Sequence, residues 1–224
     1  MIYDAVRTFS RVAVDFTELD QYIGQDKAIK VLANRGVYAV HARDGRIRST
    51  AEVITEAVTW ALRKSHFINY ERGAKMKQSP IIPGQQSFVD CSSFAKWAYA
   101  RGGIRIPRRS IQQRDRVGQR INLEYLEPAC LLFKTGMMNH YETDPNDGVG
   151  HVGIYLEKGI VAHAVNQIPP IATTALDEFT GNGHSFRGAV KIIENTSRTY
   201  TFEFNDDLEI ETSDDIKWVI LRSI

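Results

Sequence analysis

Hydrophobic residues follow a helical spacing in two segments of the chain. Between residues 53 and 62 they recur three or four positions apart, which places them on one face of an α-helix. Ser49-Thr50-Ala51-Glu52 precedes this face and supplies a Ser or Thr cap with a nearby Glu. A second helix is predicted from near Cys91, with Phe94, Trp97 and Ala98 on one face. Residues 28–32 predict a short third helix.

Later in the chain, short apolar runs replace the helical spacing. They predict strands at residues 131–133, 152–156, 160–165, 189–193, 200–204 and 218–221. One earlier strand is predicted at residues 36–41. Because helices come first and strands follow, the order predicts an α+β fold with helices packed on an antiparallel sheet.

Composition narrows the classes of protein to consider. The chain has 224 residues, 25% charged and 43% hydrophobic, which is ordinary globular usage. Its 28 Lys and Arg against 27 Asp and Glu give a net charge of +1, so no global charge favours nucleic acid or an anionic membrane. No apolar run is long enough to predict a membrane span. Two cysteines, Cys91 and Cys130, are too few for a disulfide scaffold or a four-Cys zinc site.

Cys91 lies in an Asp90-Cys91-Ser92 sequence at the predicted start of a helix. There the helix dipole and free backbone N–H groups favour a thiolate, so we expect a lowered pKa for this thiol. The same N–H groups are suited to stabilising an oxyanion. The alternative is a buried, inert cysteine that packs as a small apolar group.

The segment 150–165 predicts a β-hairpin that carries two histidines. A three-residue loop at Glu157-Lys158-Gly159, with the glycine left-handed, pairs residue 154 with 162 and gives one wholly apolar face. His151 and His163 then share the opposite face as diagonal neighbours. A two-residue turn would shift the register and separate them. A cysteine, a histidine and an orienting third group form the arrangement for nucleophilic acyl transfer.

Four motifs in this order resemble the NlpC family of papain-like cysteine peptidases, which cut bacterial cell-wall peptides. They are Asp90-Cys91-Ser92-Ser93-Phe94, the segment 106–113, His151-Val152-Gly153-Ile154-Tyr155, and His163-Ala164. The resemblance implies a papain-like core whose nucleophile lies on a helix and whose histidines lie on the sheet.

Site residues follow from the resemblance by position. It implies Cys91 as nucleophile, His151 as general base and His163 as the orienting residue. Tyr70, Asp90 and Ser92 would bind substrate. The chain departs from the family at Ser93, where glycine is usual, and at residues 128–131, where Pro-Gly-Asp-Leu is usual.

The implied activity is hydrolysis of an amide bond in a peptidoglycan stem peptide, between γ-D-glutamate and a diamino acid, with no cofactor and no metal. The alternatives are a thiol acyltransferase or amidase on another substrate, or a non-catalytic phage-tail or effector module.

The sequence does not determine the oligomeric state. The N-terminus lacks a basic stretch followed by an apolar one, which predicts cytoplasmic synthesis, with wall-peptide recycling, phage-associated lysis or specialised delivery to the wall as routes to substrate.

The expected domain organisation is an N-terminal extension at 1–48, the peptidase domain at 49–193, and a C-terminal β extension at 194–224 packed on the core. An acidic hairpin is expected between residues 206 and 215. A basic cluster is expected on a solvated face, or alternatively in contact with substrate carboxylates. Its members are Arg105, Arg108, Arg109, Arg114, Arg116 and Arg120. A metal site at His140, His151 and His163 is disfavoured because the spacing fits no zinc signature.

Overall fold

The computed structural model describes residues 9–15, 23–40, 48–74, 86–136, 148–181, 185–205 and 208–223. The helices are α1 (Gln25–Ala33), α2 (Thr50–Arg63), α3 (Cys91–Arg101), α4 (Ser110–Asp115), α5 (Leu176–Thr180) and α6 (Ser213–Leu221). The first five strands are β1 (Phe9–Asp15), β2 (Val37–Val40), β3 (Arg48–Ser49), β4 (Ile68–Tyr70) and β5 (Ser87–Val89). The others are β6 (Gln119–Ile121), β7 (Leu131–Lys134), β8 (His151–Tyr155), β9 (Ile160–Ala164), β10 (Ile171–Ala175), β11 (Phe186–Lys191) and β12 (Arg198–Asn205).

The helices predicted near residues 53 and 91 are α2 and α3. The Glu52 carboxylate accepts a hydrogen bond from the Ser49 N–H at 3.2 Å, which is half of the predicted capping box. Ile54, Val58 and Ala61 of α2 are fully buried, as the apolar spacing requires. The two helices pack against each other and share one core with strands β7 to β9.

The central sheet has six strands in the order β10-β9-β8-β7-β11-β6, and every neighbouring pair is antiparallel. One face of this sheet packs against α2 and α3 through Val152, Ile154, Ala162 and Ala164. Its other face carries a smaller cluster built around Phe179 of α5. This confirms the predicted α+β fold, in which the helix that begins at Cys91 packs on an antiparallel sheet.

A second sheet joins the two ends of the chain. Strand β12 pairs with β1 on one side and with β2 on the other, and also with β3. Its apolar face and helices α1 and α6 enclose a separate core that includes Val14, Leu32, Phe202 and Ile220. Strands from the two terminal segments therefore form one sheet. The order of elements along the sequence does not predict this pairing.

The strand predicted at residues 218–221 is wrong, because this segment belongs to helix α6. The Asp215 carboxylate accepts a hydrogen bond from the Thr212 N–H at 2.8 Å and caps the helix. Ile216 and Ile220 are buried one turn apart, whereas Trp218 is exposed. The acidic segment therefore leads into a helix, and residues 206 and 207 of the predicted hairpin lie outside the described residues. In the described part of the chain, no helix has the length and apolar character to cross a membrane.

Candidate active site

Cys91 is the first residue of α3, as the sequence predicts, and Asp90 caps the helix. The Asp90 carboxylate accepts a hydrogen bond from the Ser93 N–H at 2.8 Å, and the Ser93 hydroxyl accepts one from the Asp90 N–H at 2.8 Å. Serine at position 93, where the resembled family has glycine, therefore closes a reciprocal cap. This cap fixes the helix start on which the thiol is carried.

Arg108 holds this cap from outside the helix. Its guanidinium forms an ion pair with the Asp90 carboxylate at 2.5 Å and donates to the Ser92 hydroxyl at 2.7 Å. The Gly73 N–H also donates to Asp90, at 3.0 Å. Burial alone would raise the pKa of Asp90, but the hydrogen bonds from Arg108 and from backbone N–H groups lower it overall. Asp90 is therefore a fixed negative charge beside the thiol.

This environment reverses the predicted shift of the Cys91 pKa. Burial, and after it the negative charge of Asp90, raise the pKa of the thiol to about 11. The N–H groups of Val152 and Ser92 and the charge of Arg108 act in the opposite direction without offsetting the burial. The Ser92 N–H at the helix start does lower the pKa of Cys91, as predicted, but desolvation raises it by more. Cys91 is therefore a neutral thiol near pH 7, and a nucleophilic role for it would require a base.

The histidine hairpin has the predicted register. Ile154 pairs with Ala162, and the Leu156 N–H donates to the Ile160 carbonyl at 2.9 Å across the three-residue loop. Gly159 is left-handed with φ of 72°, as predicted, and Lys158 is left-handed as well with φ of 51°. The apolar pattern thus fixed which face the histidines occupy.

His151 and His163 contact each other on that face. His151 Nε2 lies 2.8 Å from His163 Nδ1, and the rings meet edge to face. Phe179 is fully buried and touches both imidazoles, with centroid distances of 5.9 and 5.3 Å. A side chain at Gly153 would collide with Val161 and with the Phe179 ring, so glycine here lets Phe179 close the site from below.

The surroundings keep both imidazoles neutral. Burial lowers the pKa of His151 to about 3, and the neighbouring His163 and Lys134 act in the same direction. Burial and the Lys134 charge lower the pKa of His163 to about 4. Lys134 pairs with His151 across β7 and β8, and its ammonium lies 4.6 Å from the centre of the Phe179 ring. Both imidazoles are therefore neutral near pH 7, and each keeps one ring nitrogen with a lone pair.

The Cys91 thiol lies against the backbone at the beginning of β8, the strand that starts with His151. Cys91 Sγ lies 3.9 Å from the Gly150 carbonyl oxygen, and the Val152 N–H also acts on the sulfur. These backbone groups belong to the residues on either side of His151. Gly150 is packed so closely on Gly136 that a Cβ at either position would collide with the other's backbone. This close approach fixes the backbone that leads into β8 beside the thiol.

Tyr70 reaches the site from strand β4. That strand runs parallel to β5, which leads into Cys91, and Tyr70 pairs with Val89. Burial raises the pKa of the Tyr70 hydroxyl, and the neighbouring Cys91 and Asp90 raise it further. The structure therefore gathers Tyr70, Asp90 and Ser92 around the thiol, and their binding of substrate stays a prediction.

Four members of the basic cluster, Arg105, Arg109, Arg116 and Arg120, are exposed, as the sequence predicts for a solvated face. The other two, Arg114 and Arg108, depart from that prediction. Arg114 is only 3% exposed and pairs with Asp115 at 2.7 Å. Arg108 is half-buried and belongs to the cap of α3, whereas Arg105 pairs with Asp214 at the surface. Gln113 is fully buried, and its amide donates to the Ser92 carbonyl at 2.9 Å. Gln113, to which the sequence analysis gave no role, therefore supports the site, and Arg108 does so as part of the cap; both lie in the second motif.

Cys130, the other thiol, lies apart from this site. It is buried just before β7 and lines a cavity of about 730 Å³ between α2, the tip of the histidine hairpin and the end of β11. Cys91 does not line this cavity.

The other histidines lie away from the pair at 151 and 163 or outside the described residues. His140, which the metal alternative needs, lies outside the described residues, as do His41 and His184. His66 lies on the short turn after α2, against Phe67.

Comparisons with known proteins agree with the motifs. The sequence matches the model of the NlpC/P60 family over residues 69–181. A Staphylococcus aureus structure described as similar to lipoprotein, NLP/P60 family, is 29% identical, with a TM-score of 0.48. That alignment covers 70% of this chain and 44% of the other, so this chain spans less than half of that protein. No curated protein matches the sequence.

Two further structures are peptidoglycan hydrolases by their descriptions. The NlpC/p60 domain of SagA is 23% identical over 61% of this chain and 97% of that one, with a TM-score of 0.42. RipB from Mycobacterium tuberculosis is 19% identical over 80% and 90%, with a TM-score of 0.45. The family match covers half of the chain and includes all four motifs. This chain belongs to the NlpC/P60 family.

Proposed function

We propose that the protein is a cysteine peptidase that hydrolyses the amide bond between γ-D-glutamate and a diamino acid in peptidoglycan stem peptides. The observation that carries this proposal is the contact of His151 Nε2 with His163 Nδ1 at 2.8 Å, next to the backbone that holds the Cys91 thiol. Support for the substrate class comes from the family and from the descriptions of SagA and RipB.

In the first step, Cys91 Sγ attacks the amide carbonyl carbon while its proton passes to His151. The free nitrogen of His151 is Nδ1, because Nε2 is engaged with His163. Since the thiol is neutral at rest, proton transfer and attack are coupled. His163 orients the ring and stabilises the imidazolium that forms.

The oxyanion then needs donors. The capping interactions occupy the N–H groups of Asp90 and Ser93, so those of Cys91 and Ser92 are the candidates at the helix start. Collapse of the intermediate breaks the C–N bond, and His151 returns the proton to the leaving amine. Water then attacks the thioester, His151 takes its proton, and the carboxylic acid leaves with a regenerated thiol.

The direct test is digestion of a purified stem peptide, with the cleaved bond located by mass spectrometry. We expect two fragments from cleavage after γ-D-glutamate, and none with Cys91→Ser. Cys130→Ser is the matched control and keeps activity. Cleavage of a different amide would replace the proposed substrate with that of another amidase. Absence of any cleavage by the folded protein would favour a binding module.

A further inference from the structure

A chain of hydrogen bonds continues beyond the two histidines to strand β10. His163 Nε2 lies 2.7 Å from the Thr174 hydroxyl, while His163 Nδ1 meets His151. Thr174 pairs with Val161, and His163 pairs with Ala172, so Thr174 lies diagonally across from His163 on the same face. None of the four sequence motifs includes Thr174.

The order of atoms in this chain determines where each proton lies. A neutral imidazole has one N–H and one lone pair. If His151 Nδ1 accepts the thiol proton, the resting proton of His151 is on Nε2 and is donated to His163 Nδ1. The proton of His163 is then on Nε2 and is donated to the Thr174 oxygen. The hydroxyl at the end of the chain therefore favours the reactive tautomer at its beginning.

We propose that Thr174 is a positioning residue, which accepts a hydrogen bond from His163 Nε2–H and thereby keeps His163 and His151 in the tautomers that base catalysis requires. The tautomers themselves are independent of the substrate, whereas the effect on turnover rests on the proposed function. His163 is only 6% exposed, and Phe179 covers its ring, so solvent has little access to replace the hydroxyl.

Three variants isolate the hydroxyl. Thr174→Val keeps the shape of the side chain and removes the acceptor, whereas Thr174→Ser keeps the acceptor. Thr173→Val is the matched control, because Thr173 is the neighbouring strand residue, is exposed, and lies on the other face of the sheet.

The primary measurement is a long-range ¹H–¹⁵N correlation spectrum of the imidazoles at pH 7. We expect the Nε2–H tautomer of His163 in the wild type, in Thr174→Ser and in Thr173→Val, and a shift toward Nδ1–H in Thr174→Val. An unchanged His163 in Thr174→Val overturns the inference. So does an Nδ1–H tautomer in the wild type, which decides the matter even if the valine variant does not fold.

Stem-peptide kinetics give the second readout. Loss of one hydrogen bond to the orienting histidine should lower kcat by about tenfold in Thr174→Val and leave KM unchanged. Thr174→Ser should restore kcat, and a kcat of Thr174→Val equal to that of the wild type contradicts the positioning role. If the wild type cleaves no stem peptide, the proposed function fails, while the spectra still test the tautomers.

Discussion

The two buried cysteines, Cys91 and Cys130, lie in different surroundings, and we propose a nucleophilic role for Cys91 alone. Burial raises the pKa of both Cys91 and Cys130. Cys91 begins a capped helix and lies against the backbone around His151, whereas Cys130 lies near Glu127 and Lys191, which pair with each other at 2.8 Å. In the described part of the chain, the cavity beside Cys130 is lined by no histidine. The two thiols therefore differ in the histidine pair near Cys91 and not in burial, and the proposed function rests on this difference.

Removing each sulfur in turn is the strongest way to test this comparison. We expect Cys91→Ser to lower kcat/KM for stem-peptide hydrolysis by at least about 10³-fold, because it removes the nucleophile. Cys130→Ser should stay within about threefold of the wild type. Equal losses in the two variants, measured by fragment release, would contradict the distinction between the two thiols.

Replacing His151, the proposed base, should give the next largest effect. His151→Gln should lower kcat by about 10²–10⁴-fold, since nothing then accepts the thiol proton. His66→Gln is the matched control, because His66 is exposed and its ring contacts Phe67 on the turn after α2. Steady-state kinetics of both variants measure the effect, and a loss confined to KM would argue against a base.

The packing of Phe179 against Gly153, beneath the two histidines, is the third feature to test. Gly153→Ala would place a Cβ 2.5 Å from Val161 and 2.9 Å from Phe179, so we expect a loss of about 1–3 kcal/mol in unfolding free energy. Gly24→Ala meets nothing within 4 Å and serves as the control. Urea denaturation compares the two variants. A stability of Gly153→Ala equal to that of the wild type would show that Phe179 does not pack as described.

Acid should destabilise the region around Cys91 through its histidines. In the unfolded chain a histidine binds a proton below about pH 6.5, whereas folded His163 and His151 bind theirs only below about pH 4 and 3. The unfolded state therefore binds more protons between these values, and the unfolding free energy falls as the pH falls from 6.5 to 4. Urea denaturation at several pH values should show a shallower fall in His163→Asn. An unchanged slope would contradict the lowered pKa.

The register of the histidine hairpin could be predicted from the sequence because its apolar residues alternate on both sides of a turn with glycine. Only one pairing buries the whole apolar face, and this pairing also puts His151 and His163 together. Cys91 at a helix start was predictable for a similar reason, since Asp90 is a strong cap and an apolar face follows.

Other features depend on contacts between distant parts of the chain. The sign of the Cys91 pKa shift depends on burial under the sheet, which local sequence does not show. Strand β10, with Thr174, is short and follows the Ile168-Pro169-Pro170 segment, so its pattern predicts no strand. Residues 218–221 are four consecutive apolar residues, which fit either a strand or a helix, and the contacts with α1 decide for the helix.

The central claim is that His151 activates Cys91 and not Cys130, and alkylation tests it most directly. Iodoacetamide labelling of both thiols is followed by peptide mass spectrometry in the wild type and in His151→Gln. We expect Cys91 to label much faster than Cys130 in the wild type, and this advantage to be lost in His151→Gln while the Cys130 rate stays the same. Equal, slow labelling of the two thiols in the wild type would contradict it.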